Sequence, residues 1–357
     1  MMIVNKITIA IFFCMLFFTV VFPWSGHAST DGLGPFFLQP VNASEAIVSV
    51  PEFTHPNYHK KGFLQINLTG RWINVWARNI QKPFKETDEI VPLQVPVGLV
   101  FDDCEYETFF FDFEVFTIIP QISFRISERL NVEIKMPFYF YSGGALDEII
   151  ESFHDTFGID QNKRTLWERD KMFMLIVRRD GTYDWKDDTI SGGYYGNLVA
   201  GVSYRLRDKN PAVGFRVLCR FPTSNQDEIF EQAGNHDITL QVAMSWQKGR
   251  LFGYHGAGVT FYDYEESSLM NYYDIRYSFM NTLEYSLSKN NSFIFQSLIA
   301  TPLADYSAFD EPVFELAAGF KRKTGIGVFE FGIMENVINY DNSPDIGIHF
   351  GYTVNMF

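Results

Sequence analysis

The chain has 357 residues, a formal net charge of -14, 46% hydrophobic and 17% aromatic residues, and 20% charged residues. This hydrophobic content excludes an intrinsically disordered chain, and the acidic balance is the opposite of the basic patch that a nucleic-acid binder needs. No apolar run long enough for a membrane helix follows the N-terminal region, which excludes a helical membrane bundle, while the length allows one large β-rich domain or two average ones.

Residues 1–28 read as a cleavable secretory signal. Lys6 supplies the charged start, residues 7–22 the apolar run, and Gly26 and Ala28 the small-residue exit. An uncleaved anchor is the alternative, for which the run is short. Residues 29–61 form a separate unit in which Pro35, Pro40, Pro51 and Pro56 break any long element, while 36–38 and 46–50 are apolar. It is expected to be a plug, a segment at a periplasmic rim, or an unstructured tail.

From residue 62 onward the dominant signal is alternation. Ile238, Leu240, Val242, Met244 and Trp246 share one face, with Thr239, Gln241, Ala243, Ser245 and Gln247 on the other. Tyr277, Phe279, Leu283, Tyr285 and Leu287 repeat the pattern against Ser278, Thr282, Glu284 and Ser286. A period of two predicts strands, and many segments are as long as a tilted membrane-spanning strand.

Twelve such segments are predicted, at 62–78, 105–127, 130–141, 194–207, 211–221, 237–248, 250–263, 271–288, 291–301, 312–322, 325–335 and 345–357. Tight turns alternate with longer stretches at 79–104, 142–193, 222–236, 264–270, 302–311 and 336–344. Short connections on one rim and long ones on the other are the pattern of an all-β transmembrane antiparallel barrel of twelve strands over 62–357. A soluble sandwich or lipocalin-like barrel gives the same alternation and is the competing reading. The final strand ends in Phe357, an aromatic terminus resembling the signal read by the outer-membrane assembly machinery, although the register of Ile346 to Met356 leaves Phe357 one residue out of phase.

Several segments resemble a known family. They are Arg129–Pro137 running into Ser142-Gly143-Gly144-Ala145-Leu146-Asp147, then Phe153-His154, Phe157-Gly158, Phe221-Pro222-Thr223, Glu335-Asn336 and Pro344-Asp345-Ile346-Gly347. Their order is similar to the Gram-negative outer-membrane barrels grouped as domain of unknown function 3187. The resemblance implies a barrel among outer-membrane lipids and lends no activity.

In the loop 142–193, Leu146, Ile149, Ile150, Phe153 and Phe157 recur at helical spacing and Gly158 is a stop, which predicts a short amphipathic helix. A loop this long is expected to act as a constriction or lid, or else as a surface cap. Met172–Arg179 reads as a strand extending the wall within a hairpin. Asp147, Glu151 and His154 lie on one side of the helix and are the constriction candidates. Glu151 and His154 have the spacing of di-metal carboxylate sites, but no second copy occurs, so a solvated polar face is expected and neither metal nor cofactor is implied.

The strand faces opposite the apolar ones are expected to line the lumen. They carry the acids Asp112, Glu114, Glu133, Asp274, Glu284, Glu315 and Glu330, the bases Arg71, Arg125, Lys135, Arg205, Arg216, Arg220 and Arg276, and His349. Placing both Glu114 and Arg125 inside requires a bulge in the second strand near 116–118. Either a narrow channel or a closed barrel whose charges pair across the lumen fits this set.

Cys104 and Cys219 remain after the signal, which permits one disulfide, although Cys219 falls on an apolar face that suits a free thiol. A lipid-acting enzyme would need a nucleophile beside His255 or His349, and no Ser is placed for that role. The function expected is passive passage of small solutes, with a closed structural or adhesive barrel as alternative.

Overall fold

The computed structural model describes residues 32–38, 64–78, 108–158, 169–177, 183–225, 236–263, 271–338 and 346–356. The first wall strands are β1 (Leu64–Arg78), β2 (Thr108–Arg125), β3 (Leu130–Lys135) and β4 (Phe138–Ser142). Helix α1 (Asp147–Phe157), β5 (Phe173–Val177), β6 (Tyr183–Asp187) and β7 (Gly192–Tyr195) follow in the long loop. The rest of the wall is β8 (Leu198–Arg207), β9 (Ala212–Phe221), β10 (Asp237–Lys248), β11 (Leu251–Phe261), β12 (Ile275–Ser288), β13 (Asn291–Ala300), β14 (Val313–Lys323), β15 (Gly327–Ile338) and β16 (Ile346–Met356).

Consecutive wall strands pair antiparallel, and β1 pairs with both β2 and β16, so the sheet closes on itself. Along β2, the β3 strand occupies one stretch and β4 the next, separated at Met136 and Pro137. Pro137 has no N–H to give to the ladder, and its carbonyl accepts from Gly196 N across a matching interruption between β7 and β8. The fourteen paired wall strands therefore fill twelve positions, as the alternation predicts. The Met172–Arg179 segment is strand β5, paired with the long-loop end of β2 and with β6 as a hairpin.

The distribution of side chains is inverted relative to a water-soluble protein. Leu68, Ile122, Phe124, Val202, Phe215, Leu240, Val242, Leu283, Phe293, Phe295 and Ile333 are exposed, whereas Arg71, Glu133, Arg216, Glu284, Glu330 and His349 are buried. A soluble sandwich would bury the first set, so the exposed belt belongs in lipid and the soluble alternative is excluded. Closing the ladder gives the wall strands sheet neighbours on both sides, so that their N–H and C=O groups pair within the sheet as hydrocarbon demands.

One expectation about register is overturned. The β1–β2 pairing runs unbroken from Leu64↔Phe124 to Arg78↔Phe110, so no bulge reverses β2. Arg125 faces inward as expected, but so do Phe109, Phe111, Phe113 and Val115, which join the interior apolar cluster. Asp112 and Glu114 consequently point to the outer side. The expectation failed because it required apolar residues on the outer face along the whole strand, a requirement that lapses above the lipid.

Arg at Val242 or Phe295, exposed near the middle of β10 and β13, should destabilise the folded barrel by ~2–4 kcal/mol, whereas Arg at Leu287, near the short-turn rim, should cost only about 0–1 kcal/mol. Urea unfolding in lipid vesicles measures both, and equal costs would refute the assigned depth.

Candidate functional site

The barrel interior brings the inward-facing charges into compact groups. Glu133 and Arg216 form a buried ion pair, with Arg216 Nε donating to Glu133 Oε1 at 2.6 Å. Gln121 donates to the other oxygen of Glu133 at 3.1 Å, and Arg216 reaches Gln241 at 3.4 Å. Gly201 on β8 lies against the Glu133 side chain, where a Cβ would collide with it. Arg220 pairs with Asp237 nearer the long-loop rim.

Across the lumen, Lys321 contacts Glu330 at 2.5 Å and His349 Nε2 contacts the same carboxylate at 2.6 Å, all three fully buried. Glu284 accepts from Tyr254 Oη and Ser292 Oγ, each at 2.7 Å. Arg71, Lys135, Arg276 and Glu315 are also buried on inward positions, and Arg276 Nε donates to the Thr301 carbonyl at 2.9 Å.

Two predicted lining residues lie at the rims. Arg205 is half-buried at the short-turn end and donates to the Glu128 carbonyl, which Arg125 also reaches at 2.7 Å. Asp274 is exposed just before β12 and lines nothing.

Residues 32–38 lie inside this wall. The N–H groups of Leu33 and Gly34 donate to the Glu284 carboxylate at 2.9 and 3.0 Å, and Phe36 N donates to Gln296 Oε1 at 3.0 Å. Lys321 Nζ donates to the Pro35 carbonyl at 2.5 Å and sits 5.2 Å from the Phe37 ring centre. Phe36 and Leu38 are fully buried, and the Phe36 ring lies 5.5 Å from His349. Backbone donors thus occupy the carboxylates that would otherwise demand water or a cation. The remainder of 29–61 lies outside the described residues, as do the signal segment, Cys104 and Phe357; Cys219 is a free thiol on the outer face.

A second interior segment was not singled out by sequence. In the connection between β13 and β14, Leu303, Ala304, Tyr306 and Phe309 are all buried. The segment crosses to the wall nearly opposite its own. The Phe309 ring centre lies 4.6 Å from that of Phe109, and Tyr306 Oη donates to the Val177 carbonyl at 2.7 Å. Met172, Met174 and Ile176 belong to the same cluster. The signal was faint but present: Leu303, Tyr306 and Phe309 are large residues in a loop with no helical or strand period of its own.

The helix of the long loop forms as expected, ending at Gly158 with φ +68°. Its first turn, however, is anchored to the outer side of the wall. Glu114 accepts from Leu146 N at 2.5 Å, Ala145 N at 3.0 Å and Trp72 Nε1 at 2.6 Å. The backbone crosses so near this carboxylate that Gly144, at φ +96°, has no room for a Cβ. Asp147 accepts from Asn74 Nδ2 at 3.3 Å and from Asp170 N at 2.8 Å.

Glu151 pairs with Arg169, whose guanidinium is held above its ordinary pKa by that hydrogen bond and by the carboxylate charge. Asp147 and Glu151 are therefore buried anchoring groups rather than a solvated face, and they lie on the side of the wall away from the lumen. The side chain of His154 lies outside the described residues. Among the described residues no group of His, Cys, Asp and Glu is arranged to hold a metal ion.

The histidines weighed for catalysis are separated. His349 is interior, whereas His255 faces outward between Trp246, 2.8 Å from Nε2, and Asn281, 3.0 Å from Nδ1. Ser297 is one strand beyond Asn281, so His255 does not contact it.

Glu133→Gln should strand the Arg216 charge and cost about 3–5 kcal/mol, and the paired change Glu133→Leu with Arg216→Met should recover most of that. Denaturant unfolding in detergent measures both; a silent Glu133→Gln would mean that water screens the pair.

Comparison with curated proteins finds no match. Among solved structures, the chain is similar to the COG4313 outer membrane channel from Pseudomonas putida F1, with 11% identity, a TM-score of 0.49, and 86% of this chain and 100% of that one covered. It also resembles the P. putida toluene transporter TodX, at 9% identity and TM-score 0.39, over 84% of this chain and 91% of that one. A Pseudomonas aeruginosa FadL homologue aligns at 10% identity and TM-score 0.38, over 93% and 98%. The sequence pattern of one family matches residues 10–356, and the chain belongs to that family, described as protein of unknown function (DUF3187).

Proposed function

We propose that the protein is a gated outer-membrane channel for passive passage of small solutes, closed in this conformation by two interior segments that are not part of the wall. The observation that carries this reading is that residues 32–38 and the buried Leu303, Ala304, Tyr306 and Phe309 lie inside the wall while the hydrogen-bond ladder closes without them. Either can leave without exposing a wall N–H or C=O to lipid.

Residues 32–38 act as the plug. The constriction assigned from sequence to the whole of 142–193 narrows to Met172, Met174 and Ile176, which meet Tyr306 and Phe309 at the mouth. Helix α1, fixed to the outer face by Glu114, is the cap rather than the constriction.

The apolar side of the passage is lined by Phe111, Phe113, Tyr139, Tyr141 and Met280, the polar side by the Glu133–Arg216 group. Such a lining suits small amphipathic or aromatic solutes better than highly charged ones. Delivery through a cleavable signal on 1–28, and insertion by the assembly machinery reading the last strand, belong to the same proposal.

A closed structural barrel is the second reading, favoured by the pairing of the interior charges Glu133, Arg216, Lys321 and Glu330. Planar-bilayer conductance separates the two. Deleting 32–38, combined with Phe309→Ala and Tyr306→Ala, should raise single-channel conductance and open time well above the intact protein. Silence from these variants, with folding confirmed by a heat-dependent gel shift, would establish the closed barrel.

A further inference from the structure

Among the described residues, the outward face of the wall is apolar through its middle except at one place. His255 on β11, Asn281 on β12 and Ser297 on β13 are directly opposite one another in register, and all three are half-exposed. Their depth follows from β12 itself. Asn281 lies four residues from Tyr277 and four from Tyr285, both exposed outward-facing tyrosines near the ends of that strand. At ~3.3 Å per residue, about 13 Å of strand separates it from either one. Tyrosines mark the two interfaces of a membrane barrel, so the trio sits near the centre of the hydrocarbon.

The hydrogen-bond directions there are determined. An indole N–H can only donate, so Trp246 Nε1 gives its proton to His255 Nε2 at 2.8 Å. His255 is then a neutral ring with its proton on Nδ1, which donates to Asn281 Oδ1 at 3.0 Å. The chain of donors ends on the Asn281 amide nitrogen. Among the described residues neither that NH₂ group nor the Ser297 hydroxyl has a hydrogen-bond partner. Unmet donors in hydrocarbon are costly, and polar side chains at this depth mark sites of interaction.

We infer that this patch is the interface through which two copies of the chain associate within the membrane. Lipid esters and phosphates lie at the interfaces, beyond the reach of side chains at the centre, which leaves protein as the partner. The patch carries both kinds of group, the Asn281 NH₂ and Ser297 hydroxyl as donors and the Ser297 and Asn281 oxygens as acceptors, so it is complementary to itself. A two-fold interface requires that property, because the same surface appears on both sides. Ala257 flanks His255 on the same face and, being small, lets a partner wall approach closely there, while the Trp246 ring lies over Gly253 on the other side of His255. Val242, Leu283 and Phe295 supply an exposed apolar rim.

The test counts copies by single-molecule photobleaching of the refolded full chain in phosphatidylethanolamine–phosphatidylglycerol vesicles over a range of protein-to-lipid ratios. The intact protein should pass from one step to two as the ratio rises, and Asn281→Leu with Ser297→Ala should weaken association at least tenfold while preserving the heat-dependent gel shift. In a background with Cys14→Ser, Cys104→Ser and Cys219→Ser, Ser297→Cys should cross-link copies, whereas Phe350→Cys, on a distant part of the wall, should not. One step at every ratio, unchanged association in the double variant, or equal cross-linking at both positions would overturn the inference.

Discussion

Hydrocarbon offers the backbone no hydrogen-bond partners, and this constraint organises the rest of the structure. A sheet can satisfy it only by closing, and here the pairing of β1 with both β2 and β16 completes the circuit. Closure fixes which side of every strand meets lipid. It places Val242, Leu283 and Phe295 outside, and commits Glu133, Arg216, Glu284, Glu330 and His349 to a confined interior.

A confined interior must satisfy its charges from its own resources. Glu133 and Arg216 do so as a pair extended by Gln121 and Gln241, while Glu330 holds Lys321 and His349 together. Glu284 and Gln296 instead accept from backbone N–H groups of residues 33–36. Residues 32–38 therefore complete a polar network inside the wall rather than merely filling space. Those contacts to the wall are hydrogen bonds from backbone N–H groups to side-chain oxygens and from Lys321 to the Pro35 carbonyl.

Above the lipid the constraint lapses, and the wall's rules change with it. Glu114 can face outward because the backbone of residues 145 and 146, with Trp72, covers it. The inward face of the same strand can carry Phe109, Phe111 and Phe113 because Tyr306 and Phe309 arrive from across the mouth to pack on Phe109 and Phe111. The long-loop end is thus built like the core of a soluble protein, with apolar residues inside and hydrogen-bonded carboxylates outside. This change of environment within one strand is why a single pattern rule could not assign β2.

The sequence alone determined the strands, the short and long connections, the helix ending at Gly158, and the facing of residues such as Leu240 and Arg216. Each of these rests on alternation or on a local stop, interactions among residues a few positions apart. Only the tertiary structure decided that Phe309 packs on Phe109, that Lys321 holds the Pro35 carbonyl, and that Asp147 is fixed to the outer wall beside Asn74. Those contacts join positions remote in the chain, through segments with no period of their own. Which of them forms depends on the diameter and register of the closed barrel, a property of all twelve wall positions together that no local stretch of sequence carries.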